Sequence, residues 1–288
     1  MSYNLNTKYY KYLKLLPVTQ DKHGFIYTDH CDSLLFSGLL GCLPDVGVNI
    51  DAALDPETGM WHRRPIENPC YDCKNNKPSG SKSSISRDML IGLAWYAWHN
   101  KRLDISEQVI KYALKNWGFM GCAVDITTLW GRCQIMPALF STFCWISYRL
   151  GGPSRAWARW IPADVGGRVT DYQAHLQVLH ILLRQQLSGK ITKTEQSSLN
   201  YQASRQPDNP LFLYAVGRYI EAMEKLATES LWPSDRLPRK SDRKTEWIPM
   251  RDQGSDWEGA ITRDLKVYSG GDFLFVWWLI YTKLELQP

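Results

Sequence analysis

The chain has 288 residues, of which 44% are apolar and 22% are charged, a composition typical of a globular protein that folds without disulfide bonds. Its formal net charge of +5 is too small for this length to indicate nucleic acid binding, and no apolar run approaches the ~20 residues that cross a bilayer. With 13 Trp and 15 Tyr, the chain is rich in side chains that line binding clefts.

Helical periodicity dominates the chain, and no convincing alternating strand is present. We predict helices at about 31–42, 86–100, 104–117, 133–150, 171–188, 192–204, 210–229 and 272–285. No low-complexity linker separates them. The sequence therefore predicts a single all-α domain over residues 1–288.

These helices are of two kinds. Some are apolar on nearly every side, such as MLIGLAWYAW and FLFVWWLIY, and such a helix must be surrounded by protein. Others have one apolar stripe; in the helix predicted at 104–117 the stripe is Ile105, Val109, Ala113 and Trp117, and a separate wet face carries Lys111 and Lys115. Alternation of the two kinds favours an α/α toroid, complete or incomplete, with an inner and an outer ring of helices. An irregular helical bundle is the alternative.

Polar and charged residues stand at the start of the buried helices. Asp, Ser and Thr at these positions are explained by capping of free backbone N–H groups. Capping does not explain His30, Arg87 or Arg132, because a cation is disfavoured beside a helix N-terminus. In a toroid the inner helices begin at one rim, where these side chains would line a funnel.

Two loops add aromatic and charged groups to the prediction. The segment GMWHRRP at 59–65 carries Trp61, His62, Arg63 and Arg64, and we interpret it as an aromatic platform with cations. The segment at 251–272 carries Asp256 and Trp257 between glycines. It is longer than an ordinary connection, and long loops in compact domains tend to be functional.

With its helix alternation, its acidic and aromatic loops, and the motifs SRDM and SGGDFLF before buried helices, the chain resembles α/α-toroid, six-hairpin glycosidases and related polysaccharide lyases. The resemblance implies carbohydrate chemistry in a funnel at one end of the fold. Glycoside hydrolysis uses one carboxylic acid and one carboxylate. The candidate catalytic residues are Asp88, Asp32 and Asp256. The candidate substrate-binding residues are Arg87, His30, Trp61, His62, Arg63, Arg132 and Trp257.

Two other functions remain open. A lyase acting on an acidic polysaccharide would use arginine to neutralise the uronate and Tyr or His as the base. A non-catalytic helical protein of a virion or of a host interaction is the alternative from another class. We expect an oligo- or polysaccharide partner, no nucleic acid or membrane partner, no cofactor, and synthesis in a cytosol, with virion association or release by a non-classical route left open.

The seven cysteines complete the sequence-based expectations. Cys31, Cys42, Cys122, Cys133 and Cys144 lie in or beside apolar runs and are predicted to be buried thiols. Cys70 and Cys73 form a Cys-x-x-Cys pair with no second pair to complete a zinc site. We therefore predict that they bind no metal.

Overall fold

The computed structural model describes residues 9–10, 13–14, 20–26, 33–67, 85–120, 134–163, 172–205, 207, 209–228 and 271–285, and near some helix ends it describes the backbone alone. These residues form α-helices, one short 3-10 helix and isolated β-bridges. The α-helices are α1 Ser33–Leu40, α2 Arg87–His99, α3 Leu103–Lys115, α4 Pro137–Arg149, α5 Ala156–Arg159, α6 Tyr172–Ser188, α7 Lys193–Arg205, α8 Pro210–Ala215, α9 Tyr219–Thr228 and α10 Gly271–Glu285. The 3-10 helix is Ile50–Ala53. The prediction of an all-α protein is confirmed.

The backbone divides into two compact units. The first unit comprises Met1–Gln20, Val165–Leu182 and Ile191–Pro288, and the second comprises Asp21–Asp164 and Leu183–Lys190. Helix α6 contributes residues to both. Among the described residues, no helix has the length and apolarity needed to cross a bilayer.

In the second unit, α1 and α2 are parallel neighbours at very short range. A Cβ atom built on Gly38 would lie 2.4 Å from the carbonyl oxygen of Gly92, and one built on Gly92 would lie 2.3 Å from the oxygen of Leu35. Further along both helices, the Asn100 amide donates to the carbonyl of Gly41 at 2.9 Å. Because the contacting pairs advance together along the two helices, α1 and α2 run in the same direction and begin at the same end.

Helices α3 and α4 continue this unit with alternating direction. A tight turn in which Lys101 has φ 56° reverses the chain between α2 and α3. The hydroxyl of Ser147, near the end of α4, donates to Glu107, near the start of α3, at 2.6 Å. A bridge between Phe119 and Gln134 joins the opposite ends. Helix α4 is therefore antiparallel to α3 and parallel to α2, which it also contacts.

The burial of these helices follows the two kinds predicted from the sequence. Residues 89 to 97 of α2 are all buried, and Trp95 is fully enclosed. In α3, Ile105, Val109 and Ala113 are buried, whereas Lys111 and Lys115 are exposed. The predictions of a buried Trp95 and of a solvated lysine face are confirmed.

In the first unit, polar side chains fix the helix starts. Thr192 and Glu195 form a reciprocal capping box before α7, with the Thr192 N–H donating to the Glu195 carboxylate at 2.7 Å and the Glu195 N–H donating to Thr192 Oγ1 at 3.1 Å. Asn209 caps α8 by accepting from the Leu211 N–H at 3.0 Å. The single helix predicted at 210–229 is instead two helices, because Gly217 has φ +84° and turns the chain between α8 and α9.

Candidate functional site

The second unit has one end at which α1, α2 and α4 all begin, and we call it the N-terminal end. The loop 59–65 is attached there. The Leu34 N–H donates to the carbonyl of Arg63 at 2.9 Å, and Nε of Arg64 donates to the Ser33 hydroxyl at 3.2 Å. These two contacts place a pair of arginines at the first turn of α1.

A turn upstream directs this loop to the N-terminal end. The Asp55 carboxylate accepts from the Glu57 N–H at 2.9 Å and from the Thr58 hydroxyl at 2.6 Å. These hydrogen bonds lower the pKa of Asp55 from its ordinary value, and the one from the Thr58 hydroxyl has the largest effect. Gly59 follows with φ +75°, and its carbonyl accepts from Gln108 of α3 at 3.0 Å. The loop is thereby fixed to the side of the unit.

The predicted substrate-binding residues of this loop differ in their exposure. Trp61 is 1% exposed and His62 is 7% exposed, so neither side chain presents a face to solvent. Arg63 and Arg64 are partly exposed. The prediction of an exposed aromatic platform on this loop is therefore wrong for Trp61, because tertiary packing buries its indole, and the solvent-accessible charged groups of the loop are the two arginines.

The first turn of α2 carries the predicted pair Arg87 and Asp88. Arg87 is exposed and Asp88 is partly exposed. Water therefore solvates the guanidinium, and burial does not force Arg87 to have an anionic neighbour. Asp88 occupies the second position of the helix, where a carboxylate interacts favourably with the helix dipole.

The indole nitrogen of Trp61 and the hydroxyl oxygen of Ser86 are buried polar atoms with no hydrogen-bond partner among the described residues. Ser86 is the N-cap residue of α2, yet its side chain makes no capping hydrogen bond. Unsatisfied buried groups are few in native proteins, and each requires an explanation.

Half of the predicted site residues lie outside the described residues. These are Asp32, Asp256, His30, Arg132 and Trp257. Their roles stay predictions. In the sequence, Asp32 directly precedes Ser33, which accepts the hydrogen bond from Arg64.

The prediction that Trp117 belongs to the apolar stripe of α3 is wrong. The helix ends at Lys115, and Trp117 is 85% exposed with φ 55°. The left-handed backbone turns its side chain off the helical stripe. Helix α3 ends where α4 begins, so Trp117 lies towards the N-terminal end. The signal available in the sequence is Gly118, since a glycine after a helix marks its C-terminus.

The described cysteines have no features of nucleophiles. Cys42 and Cys144 are buried thiols, as predicted. Burial raises the pKa of Cys144 to about 11 and also raises that of Cys42. Both thiols therefore stay protonated at neutral pH. Cys31, Cys70, Cys73, Cys122 and Cys133 lie outside the described residues.

Within the described part of the chain, no group of three or more His, Cys, Asp or Glu side chains is arranged to hold a metal ion. Comparison with protein-family models, with curated proteins and with solved structures finds no match to this chain.

Proposed function

We propose that this protein is a carbohydrate-active enzyme, most simply a glycoside hydrolase, with its site at the N-terminal end of the second unit. We further propose that its helices belong to an α/α toroid in which α1, α2 and α4 are inner helices and α3 is an outer helix. One observation carries the proposal. Three helices begin at the same end, and that end presents partly or fully exposed charged side chains.

The parallel direction of these helices supports a toroid over an irregular bundle. Inner helices of a toroid run in the same direction and are joined by outer helices of opposite direction. The order α2, α3, α4 has this alternation, with α2 and α4 each in contact with α3. Burial agrees with it, since α2 is enclosed along most of its length and α3 has a wet face.

Asp88 is the carboxylate that we assign to the chemistry among the described residues. Hydrolysis of a glycosidic bond needs a protonated acid for the leaving oxygen and a carboxylate that activates water or attacks carbon. Asp32, next to the first residue of α1 in the sequence, and Asp256 are the proposed partners. Arg63, Arg64 and Arg87 would bind substrate hydroxyls or carboxylates by hydrogen bonds.

The test compares two aspartates in the same helical position. Asp88 and Asp104 are each the second residue of a 13-residue helix, but α3 runs opposite to α2, so Asp104 lies at the other end of the unit. Reducing-end release would be measured over a panel of neutral and acidic polysaccharides. We expect Asp88→Asn to lower turnover by at least about a hundredfold, a typical loss for a general acid or base, and Asp104→Asn to leave it within a few-fold of wild type.

Melting temperatures and far-ultraviolet spectra control for folding in both variants. Equal turnover in Asp88→Asn and the wild type would remove Asp88 from the site. Absence of turnover on the whole panel by the wild-type protein would favour the non-catalytic alternative.

The arginines favour one second candidate, a lyase that acts on a uronate polymer. The charged residues placed at this end above are three arginines, Arg63, Arg64 and Arg87, and one acid, Asp88, so positive charge predominates among them. A lyase cleaves by β-elimination and leaves an unsaturated uronate that absorbs in the ultraviolet, whereas a hydrolase adds water across the bond. Ultraviolet absorbance of the product separates them, since only elimination leaves the carbon–carbon double bond of the unsaturated uronate.

A further inference from the structure

A second surface of the same unit exposes aromatic rings on α4 and on the segment that follows it. Trp157 is 63% exposed, Trp160 is 76% exposed and Tyr148 is 43% exposed. We call these three side chains the tryptophan platform. The two indoles are three residues apart, on the short helix α5 and directly after it, and residues at this spacing lie on one side of a helix. Contiguous exposed apolar surface usually marks an interaction site.

The segment that carries the platform is firmly held against α4. Ala158, between the two tryptophans, is fully buried. The Trp145 indole donates to the carbonyl of Arg159 at 2.6 Å. Buried Arg184 donates to the carbonyl of Ile161 at 2.7 Å. The backbone beneath the indoles is thereby fixed, so the exposed rings are presented by a rigid support and lose little conformational freedom on binding.

A salt bridge fastens the start of this segment. The Arg155 guanidinium donates to both oxygens of Glu107, at 2.7 and 2.8 Å, and both side chains are only 16% exposed. The hydrogen bonds from Arg155 lower the pKa of Glu107 below its ordinary value. Gly152 permits the close turn before it, because a Cβ there would lie 2.5 Å from the Ser147 hydroxyl.

The charge around the platform is positive. The segment from Ser147 to Pro162 contains Arg149, Arg155 and Arg159 and no acidic residue. Glu107 neutralises Arg155. Arg149 is exposed, and the Arg159 guanidinium lies over the Tyr148 ring at 3.7 Å. Arg159 therefore borders the Tyr148 ring, and Arg149 follows Tyr148 in the chain. Because this segment has no acidic residue, the complementary ligand is anionic.

We propose that the tryptophan platform binds an acidic polysaccharide chain through residues other than those assigned to cleavage. The indoles would stack on sugar rings, and Arg149 and Arg159 would pair with carboxylate or sulfate groups. The choice of a glycan rests on the function proposed above. Two indoles bury about 150–250 Å² each, well below the ~800 Å² per partner of a stable dimer, so a second copy of the chain fits this surface less well. The exposed rings lack the accompanying aliphatic side chains of a membrane-inserting surface.

The test uses the full chain and gel retardation in polygalacturonate, in heparin and in neutral dextran. We expect retardation by the acidic polymers and not by dextran, and about a tenfold weaker affinity in the double variant Trp157→Ala/Trp160→Ala. Arg149→Gln should weaken retention by the acidic polymers as well. The matched control is Leu114→Ala, which removes an exposed apolar side chain (56% exposed) of the same unit and should bind as wild type.

Three results would overturn the platform proposal. The first is that neither acidic polymer retards the wild-type protein. The second is that the acidic polymers retard the double variant as strongly as they retard Leu114→Ala. The third is that the double variant differs from the wild type only by a loss of self-association, measured by sedimentation. Flotation with vesicles containing phosphatidylserine, or binding of oligothymidine, without retention by the polymers would assign the surface to a membrane or to nucleic acid instead.

The platform proposal and the proposed active site can be rejected independently of each other. The double variant should keep wild-type turnover of a short oligosaccharide, whereas Asp88→Asn should lose turnover and keep retention by the polymer. Retention that depends on Trp157 and Trp160 together with full activity of Asp88→Asn would sustain the platform and reject the catalytic assignment.

Discussion

Two non-glycine residues of the described chain adopt positive φ, Lys101 and Trp117. Each lies directly after a helix, where glycine is common because it has no Cβ to clash in the left-handed region. Lys101 recovers part of the cost by placing its ammonium 4.3 Å from the centre of the Trp98 ring. Trp117 is 85% exposed and recovers little through packing. A bulky side chain kept in a strained and solvated position fits a role in binding.

We therefore expect Trp117→Gly to stabilise the protein by about 1 kcal/mol, since a left-handed L-residue costs about 1–2 kcal/mol and glycine loses part of this gain through its freer unfolded chain. Thermal unfolding would show the melting temperature rising by about 2–4 °C. Lys115→Gly, in the last helical turn just before it, is the control and should lower stability. A lower melting temperature for Trp117→Gly would show that the exposed indole stabilises the fold.

Most helices were predictable from the sequence to within a few residues of their observed ends, because apolar periodicity and caps are local properties. Asn209 directly precedes the helix predicted at 210–229 and does cap α8. Trp117 was misassigned because the four-residue spacing of apolar residues continues in the sequence beyond Lys115, where the helix ends. The burial of Trp61 was not predicted either, since it depends on tertiary packing around the loop.

At the scale of elements, the contact between α1 and α2 determines the geometry of the candidate site. Both helices begin at one end, and Gly38 and Gly92 allow their backbones to meet. This contact could not be predicted from periodicity, which shows that a helix is buried but not against which neighbour or in which direction. The same limit explains why the sequence favoured a toroid without establishing the order of its helices.

We expect Gly92→Ala to destabilise the protein by about 3 kcal/mol or more, because the new methyl group would meet the backbone of Leu35, which cannot move aside as a flexible side chain can. Gly38→Ala should behave alike. Chemical denaturation would measure the loss. The matched control is Gly47→Ala, since a Cβ at Gly47 meets nothing within 4 Å. A loss below about 0.5 kcal/mol for Gly92→Ala, the usual range for surface substitutions, would contradict the close approach of these helices.

At the scale of the whole molecule, stability should depend on pH through His99. Burial lowers the pKa of His99 to about 4, and its ring is stacked on Trp95 and hydrogen-bonded to Gln186 at 3.1 Å. The folded state thus keeps this imidazole neutral at pH values where the unfolded chain, with a pKa near 6.5, binds a proton. The stability contribution is fully present above about pH 6.5 and is lost as the pH falls towards 4.

The expected loss of stability over this interval is about 2 kcal/mol. It is the free energy that corresponds to the difference between the two pKa values, reduced because the ring is partly exposed. Denaturant unfolding at several pH values would measure it in the wild type and in His99→Gln. Carboxylates that are paired in the folded state contribute to both proteins, so the difference between the two curves isolates His99. Parallel curves between pH 6.5 and 4 would show that His99 titrates normally in the folded protein.

The division of the chain into two units has no counterpart in the sequence analysis. The predicted single domain rested on the lack of a linker, and helix α6 shows why none is visible, since residues of one helix belong to both units. Composition and periodicity do not mark a boundary that falls inside a regular helix. The prediction of one domain stays a prediction.

The close pairing of α1 with α2 also has a consequence for the order of synthesis. All eight residues of α1 are buried in the finished protein, and its partner emerges from the ribosome only after the long intervening segment. Until then the nascent chain exposes a segment that is mostly apolar, and exposed apolar segments recruit chaperones or aggregate. Slowing translation between the two helices should therefore lower the yield of soluble protein, whereas the same pause placed after α2 should have little effect.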